Sequence, residues 1–169
     1  MTLELTRFQR ILLGTDGTVT ALLEAFAGEP MQLMKLHQAF DTSKEGDPGT
    51  IEPGVKVLRR RVLLSGRHTR RSLVYAEAVV VIERVDSDVL DGLVGTDKAI
   101  GVLLAESRTE TFREILGVDR EPAGDLSARF GIEPTDDVLW RTYRILSGGQ
   151  TAIVITEKFP ADVFRNLPT

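Results

Sequence analysis

Residues 152–160 alternate between two sets of side chains, as the two faces of a buried β-strand do. One face carries Ile153, Ile155 and Phe159, and Glu157 stands among these apolar residues. A carboxylate on an apolar face is costly to bury unless a cation or a hydrogen-bond donor compensates it, or its pKa rises. Glu157 is therefore a candidate functional residue.

Residues 57–64 show the opposite irregularity, a cation on an apolar face. Arg60 shares this face with Val62 and Leu64. We predict that Arg60 is the counterpart of Glu157. The pattern leaves two interpretations open, a structural ion pair or the two poles of a small-molecule site.

The periodicity of the remaining chain predicts short helices, and strands that are grouped in hairpins. Helices are predicted at residues 6–13, 19–26 and 100–106, with a helical turn at 126–130. Strands are predicted at residues 31–40, 57–64, 72–82, 138–146 and 152–160. The turns at residues 65–71 and 147–150 join the last four strands into two antiparallel hairpins. These elements predict an α+β fold built around an antiparallel sheet.

Three segments lack a clear pattern. Residues 41–54 are rich in Gly, Asp, Pro and Ser, and predict a loop of the length at which lids and disordered segments are common. Residues 83–91 are acidic and interrupted, and no regular element is predicted there. Residues 108–116 are either a strand or irregular chain.

Two of the predicted helices leave free backbone amides at their N-termini. One begins at Val19, after possible capping residues at positions 15–18, and the other begins near Ile100. Such amides can hold an anion, although every helix has an end of this kind.

Length and composition limit the class of protein. A chain of 169 residues, 42% of them apolar, fits one globular domain. No apolar run approaches the roughly 20 residues of a membrane span, and the N-terminus has no signal-peptide pattern, so we expect a cytoplasmic location and no membrane partner. The absence of cysteine excludes disulfides and thiol catalysis. His37 and His68 are the only imidazoles, which argues against a zinc site.

The net charge of −4 argues against nucleic acid as a partner, although one part of the chain is locally basic. The arginines of this cluster are Arg59, Arg60, Arg61, Arg67, Arg70 and Arg71. We interpret all of them except Arg60 as solvated residues of strand edges and of a hairpin tip.

Five short segments, in order and spacing, resemble the chorismate pyruvate-lyase family over nearly the whole chain. They are LLGTDGTVT at 12–20, RRVLL at 60–64, YAE at 75–77, AIGVLL at 99–104 and TEKFP at 156–160. The resemblance implies a single domain of that fold over residues 1–169, in which an antiparallel sheet and flanking helices enclose a buried site. It also implies conversion of chorismate to 4-hydroxybenzoate and pyruvate without a cofactor.

The same architecture occurs in ligand-sensing domains of certain transcription regulators, so the alternative function is a non-catalytic sensor of a small aromatic carboxylate. Such regulators normally carry a helix-turn-helix domain ahead of the sensor. Only a few residues precede Thr6 in this sequence, and we therefore favour the lyase.

The resemblance also assigns roles to individual residues. Arg60 matches the arginine that grips the ring carboxylate, and Glu157 matches the glutamate beside the ring hydroxyl. Val19 and Ile100 fall where the family offers backbone amides to the same carboxylate, and Gly101 is expected to bind substrate beside Ile100. Glu157 could act as a general acid or as an orienting hydrogen-bond partner, and the sequence leaves both open.

One position departs from the family pattern. The better-known bacterial members have an arginine where this chain has Ala78. Glu77, Arg108 or Arg141 could substitute for the missing polar group.

Overall fold

The computed structural model describes residues 2–16 and 18–166, and within these ranges it contains six strands and five α-helices. The helices are α1 (Arg7–Gly14), α2 (Val19–Ala27), α3 (Ser87–Gly95), α4 (Ile100–Ser107) and α5 (Ser127–Phe130). The strands are β1 (Met31–Thr42), β2 (Lys56–Gly66), β3 (Ser72–Val81), β4 (Phe112–Pro122), β5 (Asp137–Ser147) and β6 (Gln150–Pro160). No helix in the described ranges has the length and apolar character needed to cross a membrane.

The strands form one antiparallel sheet in the order β1-β2-β3-β6-β5-β4. The predicted α+β class, the two hairpins and the helix starts at Val19 and Ile100 are therefore confirmed. Gly17, which belongs to the predicted capping segment, lies outside the described residues. The adjacent Thr18 is the N-cap of α2, and its side chain makes no capping hydrogen bond.

The register of the sheet places the candidate residues in neighbouring rows. Arg60 on β2 lies opposite Ala78 on β3, which in turn lies opposite Ile155 on β6. In the next row, Glu157 on β6 lies opposite Arg141 on β5. Since β3 separates β2 from β6, Arg60 and Glu157 share a sheet face without being cross-strand neighbours.

One face of the sheet, here called the front face, carries the helices α1 to α4 in two apolar clusters. The first cluster packs α1 and α2 on the sheet around Leu12, Leu23 and Phe159. The second packs α3 and α4 on the sheet around Leu93 and Leu103, among others. Arg60 and Glu157 both belong to this face, in the region where the two clusters meet.

The loop at residues 43–55 covers the opposite face of the sheet. Ile51 is buried there against Val79 and Val154, and Ser43 closes the base of the loop by accepting from the Val55 amide and donating to the Glu52 carbonyl. The loop predicted at residues 41–54 is confirmed apart from its first two residues, which belong to β1. Its apolar side packs on the sheet face opposite Arg60 and Glu157, so it is not a lid over these two residues.

Helix α3 formed where the sequence predicted no regular element. Its composition is unfavourable, with two glycines and two aspartates in nine residues. Packing overrides this propensity, since Val89 and Leu93 are buried and Gly92 lies where any Cβ would collide with Leu103 of α4. The glycine thus permits the close approach of α3 and α4.

We expect the packing of α1 on the sheet through Leu12 to contribute strongly to the stability of the fold. Leu12→Ala removes a side chain with no solvent exposure and should lower the free energy of unfolding by about 2–5 kcal/mol. Ile11→Ala is the matched control in the same helix, because Ile11 is 56% exposed and its truncation should cost about 0.5 kcal/mol or less. Denaturant unfolding measures both variants, and equal losses would contradict the assigned packing.

Candidate active site

A cavity of about 60 Å³ lies on the front face between the two apolar clusters. Its polar side chains are Thr18, Thr20, Arg60, Arg113, Tyr143 and Glu157. Its remaining wall is formed by Val19, Leu33, Val62, Leu64, Ala76, Ala78, Ala99, Ile100, Gly101 and Ile155. All five residues that the sequence proposed for the site therefore line one cavity, which we call the inner cavity.

Arg60 is 2% exposed and is held by oxygens that carry no full charge. Its Nη1 donates to the Leu93 carbonyl at 3.2 Å and to Gln38 Oε1 at 3.3 Å, and its Nη2 donates to the Lys98 carbonyl at 2.9 Å. Burial lowers the pKa of the Arg60 guanidinium, and the exposed carboxylate of Asp97 offsets this only through space. Within the described part of the chain, no carboxylate forms an ion pair with Arg60, so a buried positive charge faces the inner cavity without a counter-ion.

Glu157 is compensated by two donors from β5. Arg141 Nε donates to its Oε2 at 2.6 Å, and the Tyr143 hydroxyl donates to its Oε1 at 3.0 Å. Arg141 is itself 1% exposed, and its Nη1 donates to the carbonyls of Leu13 and Thr15. Burial and the neighbouring carboxylate raise the pKa of Tyr143 well above its ordinary value, which keeps the phenol protonated as a donor.

The first of the two interpretations, in which Arg60 and Glu157 form a structural ion pair, is wrong. Arg141 neutralises Glu157 instead, because β5 lies next to β6 whereas β2 does not. The second interpretation, in which Arg60 and Glu157 stand at two ends of a small-molecule site, agrees with their common position around the inner cavity.

Helices α2 and α4 both begin at the wall of the inner cavity. Their N-caps, Thr18 and Ala99, make no side-chain capping hydrogen bond, in contrast to the capping box at the start of α1. Val19, Ile100 and Gly101 follow these caps and line the inner cavity. First-turn amides without an intrahelical partner are donors suited to an anion.

Two small residues form the floor of the inner cavity. Ala76 lies opposite Val62 and Glu157, and Ala78 lies opposite Arg60. A large side chain at either position would fill a space of only about 60 Å³. The absence of an arginine at Ala78 thus leaves room above the sheet.

The three residues expected to replace the family arginine do not do so. Glu77 is exposed and accepts a hydrogen bond from Tyr75, and Arg108 is exposed at the end of α4. Arg141 is committed to Glu157. Besides Arg60, the cation among the described residues that lines the inner cavity is Arg113 of β4. It was not predicted, because residues 108–116 have no clear sequence pattern.

Arg113 and Arg141 both lie over the ring of Tyr143. Their Cζ atoms are 5.5 Å and 5.0 Å from the ring centroid, within the distance of a cation–π contact. Tyr143 is thereby held between the inner cavity, Glu157 and two guanidinium groups. Among the described residues there is no group of three or more His, Cys, Asp or Glu side chains that could hold a metal ion.

The fold is shared with ligand-binding domains of transcription regulators. The ligand-binding domain of a putative GntR-family transcriptional regulator from Bordetella bronchiseptica superposes with a TM-score of 0.64 and 15% identity, over 82% of this chain and 92% of that one. The effector domain of PhnF from Mycobacterium smegmatis superposes with a TM-score of 0.66 and 14% identity, over 86% of this chain and 90% of that one. At identities of 14% and 15%, these similarities show that the fold is shared.

Similarity in sequence identifies the family. The chain is 32% identical over 174 residues to the chorismate pyruvate-lyase of Mycobacterium tuberculosis (strain CDC 1551), covering 98% of this chain and 85% of that protein. It is 33% identical over 171 residues to the chorismate pyruvate-lyase of Mycobacterium leprae, covering 98% and 80%. The family described as chorismate pyruvate-lyase Rv2949c-like matches residues 13–167, and the chain belongs to this family, as the resemblance implied.

The pair of Arg141 and Glu157 generates a stability prediction. Glu157→Gln leaves the buried Arg141 cation uncompensated and should lower the free energy of unfolding by about 3–5 kcal/mol. The double variant Arg141→Met/Glu157→Gln should lose less than the sum of the two single variants, because it removes both charges together. Denaturant unfolding of the four proteins gives the coupling energy.

The matched control is the partly exposed pair of Arg144 and Glu114 in the same sheet. Glu114→Gln should cost about 1 kcal/mol or less, because solvent screens this pair. A Glu157→Gln protein as stable as Glu114→Gln would contradict a buried ion pair at Glu157.

Proposed function

We propose that the protein is a chorismate pyruvate-lyase, a carbon–oxygen lyase that converts chorismate to 4-hydroxybenzoate and pyruvate. The observation that carries the proposal is the buried Arg60 cation, which faces the inner cavity with only neutral acceptors around it. A carboxylate ligand would supply the missing negative charge. Family membership supports chorismate as that ligand.

The ring carboxylate binds between Arg60 and the two helix starts. An arginine fork supplies charge and directional hydrogen bonds, and the first-turn amides at Val19, Ile100 and Gly101 supply further donors. The Leu93 carbonyl, which accepts from both Arg60 and Lys35, fixes the guanidinium beside this site. The ring then lies over the floor of Ala76 and Ala78.

Glu157 contacts the ring hydroxyl at the other end of the inner cavity. Arg141 and Tyr143 both donate to its carboxylate, so its oxygens are acceptors in the free protein. This arrangement favours Glu157 as an orienting partner that accepts a hydrogen bond from the substrate hydroxyl, over the role of a general acid.

The reaction breaks two bonds of chorismate and makes the ring aromatic. The electrons of the C4–H bond form the new ring double bond, and the C3–O bond breaks so that the enolpyruvyl group leaves. The enolpyruvyl group leaves as the enolate and takes up one proton to give pyruvate, which balances the proton lost from C4. Aromatisation supplies much of the driving force, and the protein therefore acts mainly by orienting the ether, excluding water and stabilising developing charge.

The proposal includes the remaining expectations from the sequence. The reaction needs no cofactor, the chain forms a single domain over residues 1–169, and the protein works in the cytoplasm. Its partners are the substrate and the aromatic product.

Turnover tests the function directly. On mixing with the protein, the ultraviolet spectrum of chorismate should convert to that of 4-hydroxybenzoate, and pyruvate should appear in equal amount in a coupled assay. The alternative function, a sensor for a small aromatic carboxylate, is favoured by the fold of the regulator domains. Saturable binding of 4-hydroxybenzoate by folded protein that leaves chorismate unchanged would establish the sensor instead.

Arg60 is expected to dominate recognition of the ring carboxylate. Arg60→Ala should lower kcat/KM, with a loss of about 2–4 kcal/mol in transition-state stabilisation. Arg60→Lys should recover little of this loss, because a lysine cannot make the bidentate contact. Arg61→Ala is the matched control, since Arg61 is the next residue on β2 and points to solvent. Normal kcat/KM in Arg60→Ala would remove Arg60 from the site.

A further inference from the structure

One cross-strand row of the sheet runs from Arg60 to Tyr143. On β2 and β3, Arg60 lies opposite Ala78. Ile155 of β6 follows in the same row, between Ala78 and Tyr143 of β5. Since neighbouring strands are about 4.8 Å apart, the backbones of Arg60 and Tyr143 are separated by about 14 Å. All four residues line the inner cavity, so Arg60 and Tyr143 stand at opposite ends of it.

The hydroxyl of Tyr143 lies beside the carboxylate of Glu157. It donates to Glu157 Oε1 at 3.0 Å, and both side chains line the inner cavity. Arg141 donates to the other oxygen of this carboxylate, Oε2, at 2.6 Å. The Glu157 end of the inner cavity therefore presents two adjacent oxygens, a charged acceptor and a hydroxyl that donates.

The surroundings of Tyr143 keep its phenol protonated. Burial and the negative charge of Glu157 raise the pKa of Tyr143 well above its ordinary value. The guanidinium groups of Arg113 and Arg141 offset part of this rise. Both lie over the Tyr143 ring, and they line a second cavity of about 220 Å³ together with Asp16. At neutral pH the Tyr143 hydroxyl is therefore a hydrogen-bond donor that keeps its proton.

Chorismate carries two oxygens on adjacent ring carbons, the hydroxyl at C4 and the ether at C3, at the end opposite its ring carboxylate. In the proposed function, Arg60 binds the ring carboxylate and Glu157 accepts from the C4 hydroxyl. The ether oxygen then lies next to the Tyr143 hydroxyl, because two adjacent oxygens of the substrate meet two adjacent oxygens of the protein. An ether oxygen only accepts hydrogen bonds, and the phenol supplies the donor.

We propose that Tyr143 is a further catalytic residue, whose hydroxyl turns from Glu157 to the C3 ether oxygen of the substrate and stabilises the negative charge that develops there. The proposal rests on the proposed function. The C4 hydroxyl of the substrate replaces the phenol as the donor to Glu157 Oε1. As the C3–O bond breaks, its electron pair stays on the enolate oxygen, to which Tyr143 donates without losing its proton. The methylene carbon of the enolate takes up one proton, which balances the proton lost from C4, and Tyr143 is left unchanged.

Tyr143→Phe removes the hydroxyl and keeps the ring. In single-turnover kinetics, its rate constant for the consumption of chorismate should fall by about 10²–10³-fold, the range for loss of one oxyanion-hole donor. 4-Hydroxybenzoate has no ether oxygen, so its Kd, measured by titration calorimetry, should change by about threefold or less. A purely structural role in holding Glu157 would weaken binding of 4-hydroxybenzoate as well, since the hydroxyl of this ligand also binds to Glu157.

Tyr75→Phe is the matched control. Tyr75 is the other of the two tyrosines in the chain, and its hydroxyl donates to Glu77, outside the lining of the inner cavity. Its replacement should leave both the rate constant and the Kd unchanged.

The Tyr75→Phe protein also allows a milder change at Tyr143, which decides the assignment if Tyr143→Phe melts early. Tyr143 is the only tyrosine left in this variant, so biosynthetic incorporation of 3-fluorotyrosine modifies it alone. The fluorinated phenol is more acidic and a stronger donor, and should raise the single-turnover rate constant by about twofold or more. An equal or lower rate constant would overturn the role of Tyr143.

A pair of ligands tests the contact without turnover. Vanillate has an ether oxygen beside its hydroxyl, whereas 3-ethyl-4-hydroxybenzoate has a methylene group at that place in a substituent of the same length. Relative to Tyr143→Phe, the wild-type protein should shift the ratio of the two Kd values by about threefold to tenfold in favour of vanillate, as expected for one net hydrogen bond.

The possible results separate this proposal from the proposed function. A normal single-turnover rate constant in Tyr143→Phe, or an unchanged ratio of the two Kd values, would overturn the role of Tyr143 even if the wild-type protein consumes chorismate. A wild-type protein that favours vanillate through Tyr143 but leaves chorismate unchanged would uphold the contact and overturn the lyase. A wild-type protein that binds neither ligand and leaves chorismate unchanged would overturn both.

Discussion

Two buried guanidinium groups on one sheet face set the conditions for the rest of the site. Burial of an isolated charge costs so much that each guanidinium must be satisfied by whatever the sheet places around it. Arg141 receives the carboxylate of Glu157 from the neighbouring strand, whereas Arg60 receives only carbonyl and amide oxygens. The uncapped starts of α2 and α4 face the same cavity, so the region is rich in donors and has one acceptor end. The inner cavity therefore offers hydrogen-bond donors at its Arg60 end and an acceptor at its Glu157 end.

Much of the fold could be predicted from the sequence because alternation and helical spacing are local signals. The strands β1, β2, β3, β5 and β6 and the helices α1, α2 and α4 were all predicted from such patterns. What depended on distant packing was missed: α3 forms on its contact with α4, and residues 43–55 pack on the sheet through Ile51. Arg113 was not predicted as a site residue, because it lies on β4, a strand without a clear sequence pattern.

The candidate site shows the same division. Alternation identified Arg60 and Glu157 as charges on apolar faces, and their presence around one cavity agrees with that. Their mutual pairing failed as a prediction because strand order decides which residues meet, and no local pattern reveals that β6 lies between β3 and β5. The alternating segment 138–146 did contain Arg141 among apolar residues, and this signal could have identified the true partner of Glu157.

The lone charge of Arg60 has a consequence for the energetics of the whole chain. The empty protein bears the cost of a desolvated cation, and any anion that fits beside it relieves this cost in the folded state alone. Binding of a ligand to the folded state alone raises the free energy of unfolding. A ligand at 100 times its Kd raises it by about 2.7 kcal/mol. The free energy of unfolding would then rise with the concentration of such an anion and would be lowest in its absence.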